Sequence, residues 1–188
     1  MAVSNTAQVR VGVSGSLYMG VVGTAAAPTT IAAAWGATWT DLGLLDEAGV
    51  EITPSVDMKD LPAWQSFYPV RSVVTARSIE VKFSLIQSNS DSFKLAFGGG
   101  SFTPTSTTYS TYTPPASSFV DERAIGIELT DGTMTDRWVF PRAIVSSVEN
   151  LTFKKDESVT FGLTVKVLNP SSGNIFSYIS SSTTAYPS

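Results

Sequence analysis

Residues 40–65 read TDLGLLDEAGVEITPSVDMKDLPAWQ: two extended runs joined by a glycine turn, an acidic stretch, and a tryptophan at the end. The carboxylates are Asp41, Asp46, Glu47, Glu51, Asp57 and Asp60, and the only base is Lys59, so the segment carries 1 − 6 = −5 while the whole chain carries −4. The remaining residues therefore net +1. A domain with its negative excess gathered on one extended segment has a polarised surface. Along 51–60, strand alternation puts Glu51, Thr53, Ser55 and Asp57 on one face and Ile52, Pro54, Val56 and Met58 on the other. The first face is polar, and the second is expected to pack on a core.

The same period of two recurs outward along the chain. Val9, Val11 and Val13 alternate with Arg10 and Gly12, predicting a first strand broken at Ser14 and Gly15, with a second extended run over 17–22. Ile79, Val81, Phe83 and Leu85 alternate with Glu80, Lys82 and Ser84, as a half-buried strand does. Ile125, Ile127 and Leu129 lead to Asp131-Gly132, a hairpin-turn dipeptide, and Trp138 and Phe140 return. Val159, Phe161, Leu163, Val165 and Val167 form the clearest strand. Burying five such side chains at about 2 kcal/mol each contributes on the order of 10 kcal/mol before conformational entropy is subtracted.

Helical signals are few. Asn89 or Ser90 can cap a short helix, Asp91 suits its positive end, Phe93 and Phe97 share a face, and Gly98, Gly99 and Gly100 stop it. This predicts a small amphipathic helix plugging one end of a β-sandwich or barrel, with both phenylalanines in the core. Residues 25–35, rich in alanine, suggest one loose helical turn. Residues 101–120 hold eleven Ser or Thr and no charge before Asp121, broken by Pro104, Pro114 and Pro115. They are expected to form a surface loop, or an arm laid on a neighbouring subunit. Residues 177–188 are uncharged and polar, a tail expected to fray unless a partner holds it.

At 188 residues and 20.0 kDa the chain suits one domain with a real core, and 43% hydrophobic against 15% charged residues makes it globular. It has neither cysteine nor histidine. That excludes disulfides, thiolate or imidazole metal sites, and the Ser-His-Asp and Cys-His arrangements of nucleophilic catalysis. Asp57 with Asp60, or Asp121 with Glu122, are acid pairs of the glycosidase type, but with no second signal they read as solvated surface. Asp46, Glu47 and Glu51 lack the spacing of an EF-hand. Lys154-Lys155, followed by Asp156-Glu157, reads as a turn rather than a nucleic-acid stripe. The glycine run at 98–100 ends a helix rather than opening one, so it does not cradle phosphate. The start, MAVSNTAQVR, shows no basic leader followed by an apolar run, so a soluble product made in a cytoplasm is expected, with no membrane partner. No catalytic, cofactor or metal site is expected.

The run DLGLLDEAGVEITPSVDMKDLPAWQ, preceded by VRVGVSGSLYMG at 9–20 and an alanine-rich spacer, resembles the major tail proteins of long-tailed bacteriophages, especially those infecting actinobacteria. The strand at 78–87, the short helix ending at Gly98, the aromatic hairpin at 138–141 and the closing strand to Asn169-Pro170 and Gly173 follow in the same order. The resemblance covers roughly 8–176. It implies a single tail-tube domain over 1–188: a β-sandwich or half-open barrel with one short flanking α-helix and extended loops or arms. It further implies six copies per ring, rings stacked around a tape measure protein, tail terminator and distal tail proteins at the ends, and a lumen that passes DNA without adhesion. On that reading 1–8 is an N-terminal arm, and 55–70 is an inter-ring loop bearing Leu61, Trp64, Phe67 and Tyr68. Glu51 and Asp57 are then lumen-facing. Another virion β-domain, such as a head decoration or minor tail component, would share the composition, and a carboxylate-based tail hydrolase is the enzymatic alternative.

Overall fold

The computed structural model describes residues 9–116, 121–155 and 158–181. Among the described residues it is mainly β, with an eight-stranded antiparallel sheet curled round a core, a separate two-stranded sheet and no closed barrel, consistent with a β-sandwich. In chain order the elements are β1 Ser14–Val21, β2 Trp39–Asp41, β3 Leu45–Leu61, β4 Arg71–Leu85, α1 Ser90–Ala96, β5 Ser101–Pro104, β6 Ser110–Thr113, β7 Glu122–Asp131, β8 Met134–Val148, β9 Phe161–Val167 and β10 Ser177–Ser180. The main sheet runs β2-β1-β7-β8-β9-β4-β3, and β10 pairs with β8 beside it. Curling brings β1 near β3 without joining them, and the gap between them is an open groove of about 760 Å³ flanked by Ser14, Ser16, Leu45 and Val50.

The alternating runs supply the core. Val81, Phe83 and Leu85 from β4 meet Phe161, Leu163, Val165 and Val167 from β9, Ile125 and Ile127 from β7, Phe140 from β8 and Leu17 from β1, all buried. Val159 lies outside β9 and is only half-buried. The Asp131-Gly132 turn joins β7 to β8 as expected, with Gly132 at φ 61°, a backbone region that side chains disfavour.

Several expectations are corrected. The strand begins at Ser14, where a break was expected, and the Val9, Val11 and Val13 segment before it is exposed and unpaired into a strand. The cause lies in β7: its register with β1 ends at Ser14 opposite Thr130, because the chain then turns at Asp131. The Asp131 carboxylate instead accepts the Val11 N–H at 3.0 Å. No helix forms at 25–35; a single turn closes from the Ala33 N–H to the Thr30 carbonyl at 3.3 Å, and the Arg137 guanidinium ties it to β8 by donating to the carbonyls of Thr30 (3.0 Å) and Ala33 (2.6 Å).

Helix α1 forms where expected, with Asn89 as its cap. The Asn89 side chain accepts from the N–H groups of Asp91 (2.9 Å) and Ser92 (2.7 Å), and Ser92 Oγ accepts the Asn89 N–H at 2.9 Å. Its buried face, however, is Ser92, Leu95 and Ala96. Phe93 packs on the core as expected, with its ring 5.9 Å from buried Phe161, whereas Phe97 is exposed; both rings also meet a hairpin formed by β5 and β6. Phe102 and Tyr112 of that hairpin pack on Phe93 at 5.6 and 4.9 Å, and the Tyr112 hydroxyl donates to the Gly99 carbonyl at 2.7 Å. The Ser/Thr-rich segment is thus an ordered flap on its own helix rather than a loose loop, as far as residue 116; residues 117–120 lie outside the described residues. Likewise 177–180 is a strand on β8, while 182–188 lies outside the described residues.

Candidate assembly surfaces

The acidic segment becomes β3, the end strand of the sheet. Among the described residues its outer edge has no partner strand along all 17 residues. A free edge of that length is a template for another chain. Pro54 sits on it, and proline is tolerated on an edge strand because one ladder bond can be forgone there.

β9 pairs with β4 only at residues 80–85, whereas β3 and β4 continue as a pair to Leu61 opposite Arg71. The hairpin therefore leaves the body of the sheet as a two-stranded ribbon, and every residue from 55 to 61 and from 71 to 77 is exposed. The region expected as a loop over 55–70 is this ribbon plus a tip at 62–70. A bulge between Asp57 and Met58 leaves Thr75 without a cross-strand partner, and its hydroxyl donates to the Asp57 carbonyl at 3.2 Å.

Residues directly opposite in an antiparallel ladder share a face. Glu51, Thr53, Ser55 and Asp57 thus lie together, as alternation predicts, with Lys82, Glu80, Ser78 and Ala76 beside them. Lys166 of β9 stands opposite Glu80 on the same side. Lys82 Nζ is 2.8 Å from Glu149 Oε1, and this hydrogen bond and the carboxylate's charge raise the Lys82 pKa. Over 45–85, six acids meet the four bases Lys59, Arg71, Arg77 and Lys82, for a net of 4 − 6 = −2. The returning strand offsets much of the charge that the acidic run carries alone.

The opposite face does not pack on the core along its length, as had been expected. Ile52 packs there, but Pro54, Val56 and Met58 are exposed, because no strand underlies the ribbon beyond the end of β9. At the tip, Trp64 is 99% exposed, Phe67 106% and Tyr68 81%, with Leu61 and Val70 beside them. Trp64 therefore does not pack on its own core. Five large apolar side chains gathered at one projecting end form a patch of the kind that marks an interaction site.

The acid pairs come apart in three dimensions. Asp57 and Asp60 fall on opposite faces of β3, and Asp60 accepts from the Ser72 hydroxyl. Asp121 pairs with Arg123 at 2.8 Å, while Glu122 accepts from both Nε and Nη2 of Arg142 at 2.8 and 2.7 Å. That fork holds the Glu122 carboxyl below its ordinary range, chiefly through the hydrogen bonds. No group of three or more acids among the described residues is arranged to hold a metal. Lys155 lies in a turn, and Asp156-Glu157 falls outside the described residues.

Sequence reading missed a second, smaller core on the outer face of β1, β7 and β8. Trp35 stacks on Tyr18 at 4.3 Å, meets Trp39 edge-on at 5.0 Å, and donates its indole N–H to Glu128 at 2.7 Å. Arg137, nearly buried, binds the same carboxylate at 2.6 Å. The i, i+4 spacing of Trp35 and Trp39 was the available sign, but it reads as a helix.

The molecule is thus a β-domain with a long open edge and a projecting apolar-tipped ribbon, features of the class of self-associating structural proteins. The chain belongs to the phage tail tube protein family, whose description matches residues 1–188, its entire length. No curated protein matches it. Membership gives it a structural role in the tube of a phage tail, a place in the virion, and assembly with further copies and other tail proteins. Membership in a structural tail tube family replaces the head-decoration alternative. No helix among the described residues is long and apolar enough to cross a membrane.

Proposed function

We propose that the chain polymerises as stacked hexameric rings that form the tail tube of a long-tailed, siphovirus-type phage and carry DNA into the host. The observation that supports this best is the combination of β3's free edge with the ribbon that continues beyond the sheet. An unpaired edge joins copies sideways, and a projecting arm joins them along an axis. On this reading the face bearing Glu51 and Asp57 lines the lumen, and Leu61, Trp64, Phe67 and Tyr68 bridge rings. The N-terminal arm expected at 1–8 lies outside the described residues. The chain is one domain, made and assembled in the bacterial cytoplasm around a tape measure protein, with terminator and distal tail proteins at the tube ends.

Light scattering and negative-stain imaging of purified protein over a concentration series test the proposal. Sixfold rings and stacked tubes are expected. A strictly monomeric species under every condition, and in virions as well, would overturn it.

A further inference from the structure

Two adjoining grooves, the first of them wholly apolar in its lining, open at the base of the ribbon beside the face opposite Glu51 and Asp57. One, of about 370 Å³, lies between Ile52, Pro54, Ile79, Trp138, Phe140 and Phe176. The second, of about 400 Å³, shares Pro54, Ile79 and Phe176 and extends to Val56, Val167 and Ile175, with Arg77 and Asn169 as its polar rim. Ile175 and Phe176 remain exposed on its rim despite their size. The first groove has no charged lining residue, and the ribbon tip, PAWQSFYPV at 62–70, carries no charge either.

The tip and the groove are therefore alike in polarity and opposite in shape. Three exposed rings at about 150–250 Å² each offer roughly 450–750 Å² of surface. A stable interface needs roughly 800 Å² per partner, so this contact supplies most of one. The tip does not reach its own groove, because the paired ribbon holds Leu61 about 23 Å from Pro54, at about 3.3 Å per residue over seven residues.

Building on the tube reading, we infer that Trp64, Phe67 and Tyr68 of one copy seat in the apolar groove of a copy in the adjacent ring. Tip and groove are different patches of one chain, so the contact is heterologous and repeats without closing, which generates a filament rather than a closed oligomer. The spacing between rings then contains the length of the ribbon.

Because the chain lacks cysteine, thiols can be placed at will. Gln65→Cys, beside the tip rings, and Asn169→Cys, on the groove rim, lie at exposed positions and leave the apolar contact residues in place, so each variant should fold and assemble. In tubes of the double variant, mild oxidation should give a ladder of covalent multimers, absent from either single variant and from protein held below its assembly concentration. In tubes of Asn169→Cys alone, the thiol should react with maleimide at least tenfold more slowly than in free subunits. Normal tubes with no ladder and a fully reactive thiol would overturn the inference and leave the tube reading standing. Normal tubes with a protected thiol but no ladder would give the groove to another occupant and overturn it equally. Wild-type protein that stays monomeric under every condition, and in virions as well, would overturn the tube reading, and this inference with it.

Discussion

Glu51 stands directly opposite Lys82 in the β3–β4 ladder, and Lys82 in turn lies 2.8 Å from Glu149. Asp57 has no such neighbour, since Ala76 is its cross-strand partner. The two proposed lumen acids are therefore not equivalent. Glu51→Lys places like charges across the ladder, which costs about 0.2–1 kcal/mol. Asp57→Lys carries no such penalty. In a six-membered ring it changes the wall by two charges per copy, or roughly 12 units per ring, toward attraction for phosphate. Asp57→Lys should assemble normally and slow DNA ejection at low ionic strength, with salt restoring part of the rate. Adding Glu51→Lys should deepen the ejection defect and lower the midpoint of chemical denaturation. Ejection by Asp57→Lys phage that matches wild type at low salt would show that this face does not line the channel.

Trp64 separates folding from assembly. At 99% exposure it contributes no packing within its own chain, so Trp64→Ala should change subunit stability by less than about 0.5 kcal/mol. Tube formation should be lost or shifted to much higher concentration, while rings persist. Denaturation curves together with negative-stain images check both halves. A large stability loss without an assembly defect would place the ring in the core after all.

The core strands were legible because each alternates over a length that matches its burial: Ile79 to Leu85, Ile125 to Leu129 and Phe161 to Val167 each put one face on the core. The helix and its Asn89 cap were legible for the same reason, being local chemistry. What local pattern does not encode is whether a partner strand is present. Val9, Val11 and Val13 alternate as well as any strand and remain exposed because β7 has already turned. Val56 and Met58 alternate correctly and remain exposed because β9 has ended. The offset of the acidic run depends on Arg71, Arg77 and Lys82, which lie 10 or more residues beyond Asp60 and become its neighbours only through the hairpin.

Glu122 gives the subunit an acid-sensitive contact. Its carboxyl is held below the ordinary value of 4.5 by the Arg142 fork, so the folded state binds fewer protons than the unfolded state in the window between the two values. The contribution is complete above 4.5 and disappears as pH falls through the lower folded value. Both side chains are partly exposed, so the effect is modest and reduced by salt. Glu122→Gln should therefore be less stable than wild type near neutrality, and the difference should narrow as the solution is acidified through that window. Urea titrations at a series of pH values measure it. A difference that stays constant down to the lowest pH would assign the loss to packing rather than to charge.

The outer-face tryptophan cluster is tied to one glycine. Gly126 of β7 lies beneath Trp35, and a Cβ added there would sit 2.4 Å from two atoms of the indole ring. That ring is fixed from several sides: it stacks on Tyr18, meets Trp39 edge-on, donates to Glu128 and has the Arg137 guanidinium 5.4 Å above it. A methyl group at 126 must therefore displace the ring and strain the carboxylate that Arg137 also binds. Overpacking of this kind costs about 1–3 kcal/mol, so Gly126→Ala should lose that much stability, with a shift in tryptophan fluorescence. Gly15→Ala on neighbouring β1 is the control: its new Cβ meets only the Glu128 carbonyl, at 3.5 Å, an ordinary contact. It should stay within about 0.5 kcal/mol of wild type. Equal stability of the two variants would show that Trp35 swings aside freely and that the cluster does not hold residues 25–35 against the sheet.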